Sequence, residues 1–142
     1  MKTIIALKGK ANSGKTTTIT ILHDRLLDNG YELKISDINE KVDFSSVFTK
    51  NNKIVGITSS GDTYDIVYNK LTELIKNNCI ICVCACRTKD LFGHGTNAAI
   101  NEFTEYEHQF INKTIGNTEE YQKQNNNSDA TNLLNIIENL VK

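Results

Sequence analysis

The chain has 142 residues, 39% of them hydrophobic and 23% charged, with a formal net charge of −1. Length and composition fit one globular domain spanning 1–142, and no apolar run approaches the ~18 residues a membrane span needs. The near-neutral balance offers no broad basic footprint for nucleic acid, and the apolar stretch after Met1-Lys2 is too short for a secretory signal.

Thr3–Lys8 reads as a short apolar strand, and Gly9–Thr16 as a glycine-bounded loop. From Lys15, Ile19, Leu22 and Leu26 fall on one helical face up to the stop at Asp28-Asn29-Gly30. Tyr31, Leu33 and Ile35 alternate with polar residues as a second strand, and Val42, Phe44 and Phe48 as a third. Lys53–Ile57 is a fourth, joined to the third by an Asn51-Asn52 turn in an antiparallel hairpin. After the polar Ser59-Ser60-Gly61-Asp62 loop, Tyr64, Val67, Leu71 and Leu74 are spaced as a helix that stops at Asn77-Asn78.

Ile80–Cys86 is apolar on both faces, which predicts a central strand. Arg87–Gly95 is a second polar loop. Ala99, Phe103 and Tyr106 mark a further helix, and His108–Thr114 a last strand. Gly116–Asn127 is polar and reads as a loop, followed by an amphipathic helix (Leu133, Ile136, Ile137, Leu140) capped by Ser128 or Asp129. Strands alternating with helices predict an α/β three-layer sandwich, its sheet mostly parallel with one antiparallel hairpin.

The cysteines Cys79, Cys82, Cys84 and Cys86 begin with a C-x-x-C spacing that invites a zinc or redox reading. Strand geometry argues otherwise. Cys82, Cys84 and Cys86 would share one face, each about 7 Å from the next, and would not converge on one metal. Buried thiols of this kind act as small hydrophobes. Reduced cysteines without an export signal point to the cytoplasm.

Gly9-Lys10-Ala11-Asn12-Ser13-Gly14-Lys15-Thr16 matches G-x-x-x-x-G-K-[ST] in full, between a strand and a helix. A chance match in a chain of this length has a probability of about 0.005 at average residue usage, so the match carries weight. Glycines let the backbone curl so that N–H groups of Ala11, Asn12, Ser13, Gly14, Lys15, Thr16 and Thr17 face a phosphate at a helix N-terminus. Lys15 would neutralise the β- and γ-phosphates, and the Thr16 hydroxyl would ligate Mg²⁺.

At these residues the chain resembles the P-loop NTPase superfamily, over its whole length. The Gly14-Lys15-Thr16-Thr17-Thr18 run is similar to the loop of the signal-recognition-particle and MinD-like class. The hairpin between the first helix and Lys53–Ile57 is more similar to small Ras-like GTPases. Ala6-Leu7-Lys8-Gly9, Ile57-Thr58-Ser59-Ser60-Gly61-Asp62 and Cys84-Ala85-Cys86-Arg87-Thr88-Lys89 together resemble small uncharacterised bacterial P-loop ATP-binding proteins. The resemblance implies the P-loop fold and a nucleotide ligand, and names no pathway.

P-loop hydrolases commonly end a second apolar strand with a Mg²⁺-linked Asp. Here Lys53–Ile57 runs into Thr58-Ser59-Ser60, and the acid comes later, at Asp62. Asp62 is the candidate for the metal, through water, with Gly61 letting the backbone turn toward the phosphates; the alternative is an N-cap of the next helix. Asp37 is the other carboxylate, either a general base or a turn residue. Guanine-binding relatives carry N-K-x-D where this chain has Arg87-Thr88-Lys89-Asp90-Leu91, so ATP is the expected nucleotide. Arg87, at the end of the buried strand, is placed to contact phosphates, stack on the base or act as an arginine finger. The expected activity is slow Mg-ATP hydrolysis or a nucleotide-dependent switch, with Lys15, Asp62 and Arg87 as its catalytic groups. Alternatives are a small-molecule or nucleoside kinase and, less favoured, a GTPase switch.

Overall fold

The computed structural model describes residues 2–37, 43–90 and 94–142. Strand β1 (Thr3–Lys8) runs through a loop into helix α1 (Lys15–Asp28). Strands β2 (Glu32–Ser36), β3 (Ser45–Lys50) and β4 (Lys53–Thr58) follow, then helix α2 (Tyr64–Lys76). Strand β5 (Ile81–Cys86), the short helix α3 (Thr96–Asn101), strand β6 (Glu107–Asn112) and helix α4 (Glu119–Val141) complete the chain.

The strands form one mixed six-stranded sheet in the order β2-β3-β4-β5-β1-β6. β1 pairs in parallel with β5 and β6, and β4 in parallel with β5. β3 is antiparallel to both β2 and β4, so the expected single hairpin is one of two antiparallel pairings. Asn51 and Asn52 make the two-residue β3–β4 turn, with φ of 54° and 63°. Positive φ at both central positions is the type I′ geometry whose twist matches the strands, and Asn tolerates it.

The side chains of each inner strand divide between two cores. Ile5, Leu7, Ile57 and Val83 pack with Ile19, Leu22 and Leu26 of α1 and Leu133 and Ile137 of α4. Ile4, Ala6, Cys82 and Cys84 pack on the opposite face with Val67 and Leu71 of α2 and Ala99 and Ile100 of α3. Each such Leu or Ile removed from water contributes about 1.5–3 kcal/mol. β5 is buried along its whole length between β4 and β1, as its apolar pattern requires. All four cysteines are reduced and buried, and burial raises the Cys86 thiol to about 11. Among the described residues, no helix is long and apolar enough to cross a membrane.

Four expectations change. Residues 119–127 are helix, not loop: α4 begins at Glu119, with the Thr118 hydroxyl accepting from the Tyr121 N–H at 3.2 Å, so neither Ser128 nor Asp129 is the cap. Its first turns face other polar groups rather than the core, so they lack the apolar period that marks a helix. α3 ends at Asn101, and Phe103 and Tyr106 lie beyond it, in the turns leading to β6. β2 is an exposed edge, with Leu33 38% and Ile35 54% accessible, while Tyr31 just before it is buried. Val42, expected in β3, lies outside the described residues, and Phe44 is buried ahead of the strand.

Candidate functional site

Because β1, β4 and β5 run in parallel, their carboxyl ends share one edge of the sheet, and the start of the antiparallel β3 joins them there. Ligands of open α/β sheets bind at such edges. A cleft of about 600 Å³ lies at this edge. Ala11, Asn12, Ser13, Gly14, Lys15, Thr16, Thr17, Asp62 and Arg87, all singled out by sequence, line it. Asp43, Ser59, Gln122 and Asn126 line it as well.

The loop closes on itself. Gly14 caps α1 with φ of 96°, a left-handed conformation that favours glycine, and no side chain caps the helix there. The first helical bond is from Thr18 N–H to the Gly14 carbonyl at 2.9 Å. The N–H groups of Lys15, Thr16 and Thr17 thus precede the helical ladder and are directed to the end of the helix, where anions are favoured. The Ser13 hydroxyl donates to the Lys10 carbonyl at 2.7 Å. The Lys15 ammonium folds back to donate to the Gly9 carbonyl and, at 2.9 Å, to the Lys10 carbonyl. Burial, helped by the Arg87 charge, lowers the Lys15 pKa below its ordinary value. An anion in the cleft would oppose this lowering, because an opposite charge favours the protonated amine.

Thr16 and Asp62 are not in direct contact. Instead the Thr16 hydroxyl donates to Asp43 Oδ1 at 3.2 Å, and the Ser59 hydroxyl donates to the same oxygen at 3.1 Å. Ser59 Oγ in turn accepts from the Phe44 N–H at 3.0 Å, which fixes Asp43 in place. Asp62 pairs with Arg87, Nη2 to Oδ1, at 3.1 Å. It does not cap α2; the Thr63 hydroxyl does, accepting from the Ile66 N–H at 3.3 Å. A Cβ on Gly61 would meet the Ala85 Cβ at 2.6 Å and its carbonyl oxygen at 2.7 Å, so this glycine lets the β4–α2 loop cross the end of β5.

Asp37 accepts from the Ser45 N–H and closes the β2–β3 connection, the turn role weighed for it, and it is not among the cleft-lining residues. Asp90 accepts from the N–H groups of Asn97 at 3.0 Å and Ala98 at 2.8 Å, capping α3. Burial opposes its ionisation, but these hydrogen bonds prevail and hold its pKa low. Leu91 lies outside the described residues.

From behind, α4 grips the loop. Gln122 Nε2 donates to the Ser13 carbonyl at 2.7 Å, and the Thr18 hydroxyl donates to Asn126 Oδ1 at 3.3 Å. A Cβ on Gly14 would collide with both amides. Lower down, the fully buried Lys113 ammonium donates to Asp129 Oδ2 at 2.8 Å, and Asp129 also accepts from Thr114 N–H and hydroxyl. Sequence reading missed Asp43, Gln122, Asn126 and this ion pair. Only α4 left a local signal, in Thr118-Glu119-Glu120, a cap residue followed by two acids.

Among the described residues, no group of three or more His, Cys, Asp or Glu gathers around a common centre. Thr16, Asp43 and Ser59 do bring three oxygen donors together, the donor type that hard divalent cations take. No protein-family model, curated protein or solved structure matches the chain.

Proposed function

We propose that the chain is a P-loop protein that binds Mg-ATP in this cleft and hydrolyses it slowly, or uses it as a switch. The observation that carries the reading is the loop at residues 9–16. A full phosphate-loop motif stands between a central parallel strand and a helix whose first N–H groups open onto a cleft of about 600 Å³. The loop N–H groups and Lys15 would hold the phosphates, with Lys15 trading its two carbonyl contacts for phosphate oxygens.

The oxygen set fits Mg²⁺, which is usually bound by one or two carboxylates plus substrate phosphates rather than by a protein cage. Thr16 and Asp43 would hold the ion, with Ser59 orienting Asp43 and Asp62 reaching it through water. When bound, the ion would neutralise phosphate charge. Arg87, tethered by Asp62 at the cleft wall, would meet charge developing on the transferred phosphoryl group. ATP is preferred to GTP in this reading, because Arg87-Thr88-Lys89-Asp90-Leu91 lacks the Asn of the guanine-reading motif and its acid, Asp90, comes one residue early and is committed to capping α3.

Chemical denaturation with and without nucleotide tests the reading. Mg-ATP at 100 times its dissociation constant should stabilise the wild type by about 2.7 kcal/mol. Lys15→Ala should lose that gain, and GTP should bind less tightly than ATP in competition. Equal stabilisation of wild type and Lys15→Ala would refute the site. A tenfold preference for GTP, about 1.4 kcal/mol, would reverse the nucleotide assignment.

A further inference from the structure

A second cavity, of about 510 Å³, opens beside the phosphate cleft and shares Asp62 and Arg87 with it as a common wall. Inside it the Tyr64 ring lies against the His94 imidazole, centroids 4.2 Å apart and planes 21° from parallel. Tyr68 stacks on Tyr64 in turn, at 5.9 Å and 5°. His94 is exposed, and among the described residues no ring besides Tyr64 stacks on its faces. Such faces take further planar rings, which is how aromatic side chains hold bases of any sequence.

The charges of this cavity do not cancel. Asp62 is paired with Arg87, and both Asp90 oxygens are occupied by the N–H groups of α3. The Lys10 and Lys89 ammonium groups have no carboxylate partner among the described residues. Three cations, Lys10, Arg87 and Lys89, face two carboxylates, Asp62 and Asp90, so the lining carries a net charge of +1, and a cationic wall beside an aromatic stack selects a planar ring that carries an anion. The volume lies within the ~300–1,000 Å³ range of small-molecule sites.

We propose that this cavity binds a nucleoside monophosphate, its base extending the Tyr64–His94 stack and its phosphate meeting Lys10 and Lys89. The stack and the lysines stand whether or not the neighbouring cleft holds a nucleotide. Only a role for this ligand as acceptor of a phosphoryl group, across the Asp62–Arg87 wall, rests on the ATP reading. A shared wall also predicts that each ligand alters the affinity of the other by the same factor.

The test is isothermal titration of AMP, GMP, CMP and UMP into the full chain, first alone and then with the cleft saturated by Mg-ADP. At least one monophosphate should bind under both conditions and persist in Lys15→Ala. Tyr64→Leu and His94→Ala should each weaken it tenfold or more, while Mg-ADP affinity stays within twofold. Ribose 5-phosphate, which lacks the ring, should bind at least tenfold more weakly. Circular dichroism checks that each variant is folded, and His94, being exposed, provides the variant least able to disturb the core.

The proposal is overturned if no monophosphate binds, if both variants bind as the wild type does, or if ribose 5-phosphate binds equally well. It is also overturned if the monophosphate binds only without Mg-ADP and is lost in Lys15→Ala, which would place it in the phosphate cleft. Failure of Mg-ADP to bind would refute the cleft reading instead and leave the monophosphate titration to decide on its own.

Discussion

The Thr16 hydroxyl and the Asp43 carboxylate meet at 3.2 Å, tying the first turn of α1 to the segment that enters β3. Asp43 is thereby the carboxylate hydrogen-bonded to Thr16, the residue proposed to hold the metal. Asp43→Asn should remove most of the benefit that Mg²⁺ brings to ATP binding, by at least tenfold, about 1.4 kcal/mol. Metal-free ATP should bind equally well or better, because a negative charge has left the cleft. Titrations with Mg²⁺ and with a chelator measure the difference, and an unchanged Mg²⁺ dependence would remove Asp43 from the site.

Asp62 holds Arg87 at the wall of the same cleft. Asp62→Asn keeps the side-chain size but gives up the charge that tethers the guanidinium. Turnover of Mg-ATP is expected to fall by at least tenfold, about 1.4 kcal/mol in the barrier, with binding within about threefold. Since Thr63 caps α2, helix stability should not change. Steady-state hydrolysis with parallel binding measurements separates these effects. Unchanged turnover would reduce Asp62 to the partner of Arg87.

His23 is a pH-sensitive element of the core. Its ring stands edge-on to Phe44 at 5.6 Å and to Phe48 at 5.1 Å, and neither ring nitrogen has a hydrogen-bond partner among the described residues. Burial lowers its pKa below 6.5, although Asp24, 3.6 Å from Nδ1, opposes the shift. Between the lowered folded value and 6.5, the unfolded chain binds the extra proton, so stability rises with pH across that window. Acidification from pH 7 to 5 should therefore destabilise the wild type more than His23→Leu. Urea melts at several pH values provide the comparison, and parallel pH profiles would exclude His23 as the source.

Lys113 and Asp129 form a buried pair, with side chains 0% and 9% accessible. Removing one partner leaves an uncompensated charge, which typically costs about 3–5 kcal/mol. Lys113→Met is expected to lose stability of that order in urea. Adding Asp129→Asn should recover part of it, because the remaining buried group is neutral. A loss below about 1 kcal/mol in the single variant would mean that water reaches the carboxylate.

What was legible in the sequence was local. Thr3–Lys8, the loop and α1 are contiguous, and each announces itself by an apolar run, a glycine pattern or helical spacing. The central place of β5 could be read because a strand buried on both faces has no polar alternation to show. Asp43 could not be read. Its partners lie 27 residues before it and 16 after it, and strand pairing brings them together. The first half of α4 was missed because its amides face the loop and Arg25, where hydrogen bonds do the work that apolar contacts do elsewhere. At Asp62 and Thr63, two cap-forming residues stand side by side, and a shift of one position decides which of them is free to hold Arg87.

The grip of α4 on the loop also bears on how the protein is made. The phosphate-loop motif is synthesised early, yet Gln122, which holds the Ser13 carbonyl, follows it 109 residues later. β1, too, waits for β6 before it has a neighbour on its second side. A nascent chain therefore carries the motif long before it has the finished loop. If the loop holds a phosphate as proposed, its competence to do so would arrive late in translation, when α4 docks.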